Sequence, residues 1–508
     1  MSNKKVKKAF CATLDFNISK KIFVESTFIR ALPGFSIGGM ANQSIQESKD
    51  RIKSSLLSID FKFPAQKITV NLSPSDIKKE GSHFDLVIAL LIAFQNSDTS
   101  CKDFFIFGEL GLDGKVKATS IIFPLLLSLA RQYQNLKVLL PQEMVEKASQ
   151  IKGVKIYGVE SLYDAIMFFK EKKYELPYES SETKDFFDNK IEVDSKNYFY
   201  DTDFPLDFKD VKGQKYLKRA LVVSASGMHN ILLEGSPGCG KSMSIKRLRH
   251  ILPPLTIEEI LETHAYRSLN QEEDTLSAKR AYRAPHHSSS KPSIFGGGSS
   301  IAMAGEAALA HNGILFFDEL PHFSKQILES LREPLENHKV LISRVNNKIE
   351  YDTKFLFAAA QNPCPCGNLL SKIRECRCSD LEVSRYKTRI SDPILDRIDL
   401  YILVDEDFSK EETQSSKEMF ESVLRAFTFQ KKRGQHELNA NLSEQDIEKY
   451  CILSDEARQI LESAISKYGL NQRTVGKILK ISRTIADIDE HNIIQKNHIF
   501  EALSYRKR

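Results

Sequence analysis

No stretch of this 508-residue chain is apolar for long enough to span a bilayer. The longest, Phe84 to Phe94, has 11 residues and contains Asp85, where about 18 to 20 apolar residues are needed. The lysines at positions 4, 5, 7 and 8 are followed by neither a sustained apolar run nor a small-residue cleavage site, so no secretory signal is expected and the protein is placed in the cytoplasm. Cysteines are few, eight in all, and four of them crowd between Cys364 and Cys378, which argues against a disulfide framework and for metal binding. Glycine (23) and proline (17) are too sparse for a collagen-like or low-complexity chain, and no internal repeat is present. There is little excess charge: 72 Lys and Arg against 67 Asp and Glu permit a nucleic-acid partner without establishing one. What remains is ordinary globular composition, 41% hydrophobic and 27% charged, in a chain long enough for about three domains.

Residues 1–170 alternate strand-like runs (Lys67 to Leu72, Phe104 to Phe107) with helical patterns (Ser44 to Ser58, Asp85 to Phe94, Pro141 to Ser149), which predicts an α/β domain. Residues 171–206 shift to Glu, Lys, Ser, Asp and Tyr without a clear period and read as a linker. Residues 207–404 set apolar strands before Gly-rich turns and helices, the pattern of a parallel sheet with crossovers. Residues 405–508 are polar and helix-periodic and read as a small helical domain.

The most specific signal is Gly235-Ser236-Pro237-Gly238-Cys239-Gly240-Lys241-Ser242, a G-x-x-x-x-G-K-S loop between a predicted strand (Ile231 to Glu234) and helix (Met243 to Arg249). Glycines let consecutive backbone N–H groups turn inward around a β-phosphate, and the helix N-terminus adds positive potential. Lys241 reaches the β- and γ-oxygens, and Ser242 ligates Mg²⁺. A chance Gly-rich turn would need the loop, the Lys-Ser pair and both flanking elements to coincide. Such a loop needs a carboxylate partner, and Ile314 to Phe317 forms a buried strand ending in Asp318, for Mg²⁺, and Glu319, to polarise the attacking water. These paired acids point to ATP hydrolysis rather than binding alone.

A third apolar strand, Lys354 to Gln361, ends in Asn362, an amide suited to sensing the γ-phosphate. Arg397, in Pro393-Ile394-Leu395-Asp396-Arg397-Ile398-Asp399, has two readings. It either projects to a neighbouring subunit's nucleotide, which makes hydrolysis depend on oligomerisation, or forms a salt bridge with Asp396 or Asp399. Cys364-x-Cys366 and Cys376-x-Cys378 suit tetrahedral Zn²⁺, although the one-residue spacing departs from the commoner knuckles; the alternative is four reduced thiols on a surface loop. The other cysteines read as ordinary buried residues, apart from Cys239, which supplies its backbone to the phosphate loop. Ser290 to Gly305 reads as a hairpin or loop of small residues able to approach a ligand. A second hairpin pairs Lys339–Arg344 with Lys348–Tyr351, placing Arg344 and Lys348 either against DNA phosphates or in solvent. His286 and His287 lack a third ligand at suitable spacing and are not assigned to a metal.

In order and content these motifs resemble those of the magnesium-chelatase-like AAA+ ATPases of the YifB/ComM family, over nearly the whole chain. The resemblance rests on Ala31-Leu32-Pro33-Gly34-Phe35, Asn71 to Asp76, Lys79 to Ser82 and Gly108 to Gly114 in the first domain. It continues through Arg283 to Ser288, Gly305-Glu306, Asp318-Glu319-Leu320, Asn362 to Gly367 and Leu395 to Leu400 to the C-terminal Ser482 to Asp487. It implies a homohexameric AAA+ ring with Arg397 as the trans finger, Asn362 as sensor 1 and Arg473 in the lid as sensor 2, Arg483 being the second choice. ComM relatives are DNA branch-migration helicases of natural transformation, and chelatase relatives drive metal insertion into porphyrin. The resemblance therefore implies an ATP- and Mg²⁺-dependent motor on single-stranded or branched DNA, with low sequence specificity and a role in recombination or competence. A protein-remodelling ring is the rival, and the first domain is a candidate site for a protein partner.

That first domain resembles the Lon protease domain (ribosomal S5 domain 2-like). In Lys79 to Asp85 the nucleophile's position falls at His83 rather than Ser82, and Ile121 to Leu127 holds no partner lysine. With nothing to take the proton from Ser82, no Ser-Lys proteolysis is expected.

Overall fold

The computed structural model describes residues 6–15, 18–173, 187–272, 275–297, 304–344, 347–405 and 414–506, with side chains left out at 343–348. The chain divides into two units. One comprises Met1–Phe186, His264–Leu276 and Ser343–Ile349, and the other takes the remainder.

The first unit is built on strands Lys7–Asp15 (β1), Ile18–Ile29 (β2), Gly34–Gly38 (β3), Lys67–Ser73 (β4) and Cys101–Ile106 (β5). A small ribbon, Glu109–Leu110 (β6) with Val116–Lys117 (β7), follows, and then Leu136–Pro141 (β8) and Val154–Val159 (β9). Seven of these form a sheet in the order β3-β4-β2-β1-β5-β8-β9. It is mixed: β1 and β4 run antiparallel to β2, while the β3–β4, β1–β5, β5–β8 and β8–β9 pairs are parallel. Register puts Ala9 opposite Val24 and Cys11 opposite Ile22, and all four are fully buried. The helix Asp85–Ala93 packs on β1 and β2 and on the helix Gln43–Ser58. Its residues from Asp85 to Ile92 are buried on every side, which is why this segment reads as a continuous apolar run rather than a stripe.

In the second unit Asn189–Val193 (β10) and Lys196–Tyr200 (β11) pair antiparallel, so this part of the stretch read as linker is an ordered ribbon. Asp194 and Ser195 at its turn both have positive φ, 49° and 61°, the backbone that suits a two-residue hairpin. Val193 and Tyr198 pack on Phe427, the two rings meeting edge-on at 5.0 Å.

The catalytic-type sheet contains Ile231–Gly235 (β12), Tyr282–Arg283 (β13) and Ile314–Phe317 (β14). Lys339–Arg344 (β15) and Asn347–Asp352 (β16) form a separate ribbon, as expected, and Leu356–Gln361 (β17) and Leu400–Val404 (β18) complete the sheet. Its order is β13-β14-β17-β12-β18, and every neighbouring pair is parallel. All carboxyl ends therefore open on one edge, where ligands of such sheets bind.

The segment Ser290–Gly305, expected to be a hairpin or loop, begins with a helix. Ser290 caps a helix, Lys291–Phe295, through the Ser293 N–H with Pro292 in the first turn, a start signal that overrides the loop reading. Residues 298–303 lie outside the described ones. The second hairpin's strands are present, but the side chains of Arg344 and Lys348 lie outside the described residues.

The C-terminal region is helical, and it shares the core of the sheet. Met419, Phe420 and Val423 from Ser416–Lys432, and Ile478, Ile481 and Ile485 from Gln472–Ile488, cluster with Leu233, Ile314, Phe316 and Ile402. Among the described residues, no helix is long and apolar enough to cross a membrane.

Candidate nucleotide site and cysteine centre

β12, buried along its whole length, ends in the phosphate loop. The loop turns through positive φ at Gly238 (84°) and Gly240 (89°), a backbone that a side chain would strain, and enters the helix Lys241–Leu248. The Lys241 ammonium donates to the Gly235 carbonyl (2.6 Å), the Ser236 carbonyl (2.8 Å) and Asn362 Oδ1 (3.2 Å). Ser242 Oγ donates to Asp318 Oδ2 at 2.7 Å, so the two groups suited to Mg²⁺ already face each other. Asp318 also accepts the Glu319 N–H at 3.0 Å. Glu319 sits in the left-handed region (φ 54°, ψ 48°), an uncommon place for a non-glycine residue and one often found at functional sites.

Thus Lys241, Ser242, Asp318 and Asn362, separated by up to 121 positions in the chain, meet at the carboxyl ends of β12, β14 and β17, with Glu319 beside them. Glu234, buried at the end of β12, accepts from the Tyr401 hydroxyl at 2.6 Å and from the Gln361 amide. Burial and then the Glu234 carboxylate push the Tyr401 phenol well above its ordinary value.

Arg397 and Arg473 do not contact this group; they meet elsewhere, on Glu336. Arg397 is buried, with one guanidinium nitrogen on the Pro393 carbonyl (2.5 Å) and another on Glu336. Arg473 approaches the other Glu336 oxygen at 3.5 Å. The hydrogen bond from Arg397 holds the Glu336 carboxyl below its ordinary range. The salt bridge entertained between Arg397 and Asp396 or Asp399 is absent. Asp399 instead accepts the Asn230 N–H at 3.0 Å and faces His229 and Lys477. Arg483, second choice for the lid arginine, is fully buried and bound to Asp487 and to the Asn492 and His491 carbonyls. That pairing makes Arg483 a core residue rather than a nucleotide contact. Sequence reasoning missed Glu336 altogether. It also left unassigned His287, whose Nδ1 lies 3.9 Å from Glu319 Oε2.

The sulfurs of Cys364, Cys366, Cys376 and Cys378 all lie within 4.8 Å of one another. Three of the separations are 3.4, 3.7 and 3.6 Å, near the edge of about 3.8 Å that a tetrahedron with Zn–S bonds of about 2.3 Å would have. The backbone N–H groups of Asn368 and Arg377 bring the Cys366 thiol down to about 6, while the neighbouring sulfurs push the Cys376 and Cys378 thiols up. The donor set fits Zn²⁺. A second cluster, Asp489, His491 and His498, does not fit a metal. His498 Nδ1 accepts the Gln495 N–H at 3.0 Å, which leaves its proton on the Nε2 that faces Asp489.

In the first unit Ser82 Oγ donates to the Glu109 carboxylate. Buried Lys79 donates to the Pro74 carbonyl rather than to Ser82, and His83 Nε2 lies 2.9 Å from the Ala12 carbonyl.

A phosphate loop on an interior strand of an all-parallel sheet, faced by the acids of a nearby strand, defines a P-loop ATPase. Three family models match the chain: "Subunit ChlI of Mg-chelatase" over residues 24–144, "Magnesium chelatase, subunit ChlI" over 207–413 and "Magnesium chelatase, subunit ChlI C-terminal" over 413–506. The chain is 37% identical over 496 residues to the competence protein ComM of Haemophilus influenzae, covering 96% of this chain and 94% of that protein. It is 36% identical over 498 residues to the uncharacterized protein YifB of Escherichia coli, with the same coverage. The chain belongs to the ComM/YifB family of magnesium chelatase ChlI-like AAA+ ATPases.

Proposed function

We propose that the protein is an ATP-driven motor that moves along DNA as a homohexameric ring, a branch-migration helicase acting in recombination or natural transformation. The observation that carries the ATPase part is the convergence of Lys241, Ser242, Asp318 and Asn362 at one edge of the parallel sheet. Competence comes from the name of the ComM relative, and DNA from what the family resemblance implies.

In this reading Gly235 to Gly240 cradle the phosphates with backbone N–H groups, and Lys241 draws charge from the β- and γ-oxygens. Ser242 and Asp318 would hold Mg²⁺, which when bound neutralises charge on the same oxygens. Glu319 takes the proton of the attacking water, with His287 at its side, and Asn362 orients the γ-phosphate. Arg397 completes a neighbouring subunit's site and Arg473 acts from the lid. Both must leave or share Glu336 to do so. The four cysteines would hold a structural Zn²⁺, which when bound would tie down the loop after β17. The first unit is a Lon-protease-like domain without the catalytic dyad, and residues 1–170, 171–206, 207–404 and 405–508 are its domain, a connecting segment, the ATPase core and the lid.

The test is ATP hydrolysis by the wild type and by Glu319→Gln, with and without single-stranded and branched DNA. Stimulation by DNA, with turnover about 10² to 10³-fold lower in the variant and nucleotide binding retained, is the expected result. Turnover indifferent to DNA would sink the motor and favour a protein-remodelling ring. Casein hydrolysis abolished by Ser82→Ala would overturn the non-proteolytic reading of the first unit.

A further inference from the structure

The cysteine centre and the phosphate loop touch. Gly367, in the turn closed by its own N–H on the Cys364 carbonyl at 3.0 Å, has φ 80°, and a Cβ built there would lie 2.6 Å from both Cγ and Cδ of Pro237. Pro237 belongs to the phosphate loop. The strand end that leads into the same turn carries Asn362, whose side-chain oxygen receives the Lys241 ammonium. On the far side, Cys376 and Cys378 lead directly into the helix Asp380–Lys387, whose Tyr386 phenol meets the backbone N–H of Asn362. Two chain segments thus converge on four sulfurs, and each also abuts a residue of the nucleotide site.

We propose that a zinc ion held by Cys364, Cys366, Cys376 and Cys378 sets the position of the phosphate loop through the Gly367–Pro237 contact, so that zinc occupancy controls nucleotide affinity. The proposal deepens the ATPase reading and rests on it. Bound by the two pairs, the ion would lock the 364–367 turn to the 376–378 segment and remove that turn's freedom to slide off Pro237. Released, it would leave the turn, Pro237 and Asn362 to relax together, and the backbone N–H cradle would lose the placement on which tight phosphate binding depends. Gly367 and Pro237 are positioning residues in this scheme, since they act through the placement of the loop's backbone N–H groups.

The experiment measures two quantities on the full-length protein: zinc per chain by elemental analysis, and the Kd of a fluorescent ATP analogue with Mg²⁺. The wild type should hold one zinc per chain. Stripping it with a high-affinity chelator under reducing conditions should weaken nucleotide binding about tenfold, with recovery when zinc is restored. Gly367→Ala should weaken nucleotide binding comparably while keeping its zinc, a pairing that mere loss of metal cannot produce. Should stripping unfold the chain, as judged by circular dichroism, Gly367→Ala decides the matter. A wild type without zinc, a stripped and folded chain that binds nucleotide unchanged, or Gly367→Ala with unaltered affinity each overturns the proposal. A wild type that binds zinc but no nucleotide overturns the ATPase reading, and this proposal with it.

Discussion

The two sheets differ in what they do with their polar groups. In the mixed sheet of the first unit, polar side chains near the chain's most apolar helix are sealed. Lys79, His83 and Asp85 are fully buried, and each ends on a fixed partner: the Pro74 carbonyl, the Ala12 carbonyl and Arg51, the last at 2.8 Å. In the parallel sheet the polar groups gather at one open edge, because five strands pointing the same way deliver five loops to the same side. Strand direction, more than composition, decides which unit can place a lysine, a serine, two acids and an amide around one phosphate chain.

The sharpest way to break this contrast is Lys241→Ala. It should lower ATP turnover about 100-fold or more, measured by phosphate release, while circular dichroism shows the fold intact. Core truncation comes next: Leu233→Ala in β12 should cost about 2–5 kcal/mol by thermal or urea unfolding, since a fully buried leucine leaves a cavity. Glu336 offers a finer cut. Arg397→Ala should slow turnover about tenfold or more by removing the trans arginine, whereas Glu336→Ala, which removes only its resting partner, should leave turnover within about twofold, and the double variant should be as slow as Arg397→Ala alone.

A pH experiment sharpens the sealed side. Burial lowers His83 from 6.5 to about 4, so its contribution to stability is full above pH 6.5 and is lost as the pH falls toward 4. Burial raises Asp85 from 3.8 to about 6, against the pull of Arg51, so its contribution is present below 3.8 and is lost as the pH rises through 6. Between about 4 and 6 the two oppose each other. His83→Gln should remove the first and leave the second, making the first unit gain stability as the pH falls from 7 to 5, by at most about 1 kcal/mol per pH unit. Thermal melts across that range read the slope. The smallest expected effect is Ser82→Ala, which should leave ATP turnover unchanged.

How much of this was legible depended on distance along the chain. The phosphate loop and the Asp318-Glu319 pair are contiguous motifs whose chemistry is written in adjacent residues, so their strands and roles could be argued directly. Asn362 needed only its strand. Glu336 had no such signal: it stands 61 positions from Arg397, in a short helix where an acid is unremarkable, and only the fold joins them. The β10–β11 ribbon was hidden by its composition, since Lys, Asp and Glu outnumber the few residues that anchor it, Val193 and Tyr198. The Ser290–Gly305 segment misled because its glycines were weighed above Ser290 and Pro292, which start a helix. Arg483 misled in the other direction. A basic residue in a lid invites a ligand, but its acidic partner Asp487 lies one turn away on the same helix and is as deeply buried.

One feature of the second unit bears on how such a protein is inherited and cut. Two family models divide the chain at residue 413, yet the hydrophobic cluster runs across that point, with Val423 and Ile485 in the same core as Leu233 and Phe316. A boundary of descent is therefore not a boundary of folding. A piece ending near residue 413 would carry the phosphate loop and its acids and expose the face of the helix Lys215–Gly227 that the C-terminal helices cover. The lid travels with the motor as a share of its interior, and an ATPase fragment made without it should aggregate before it can be assayed.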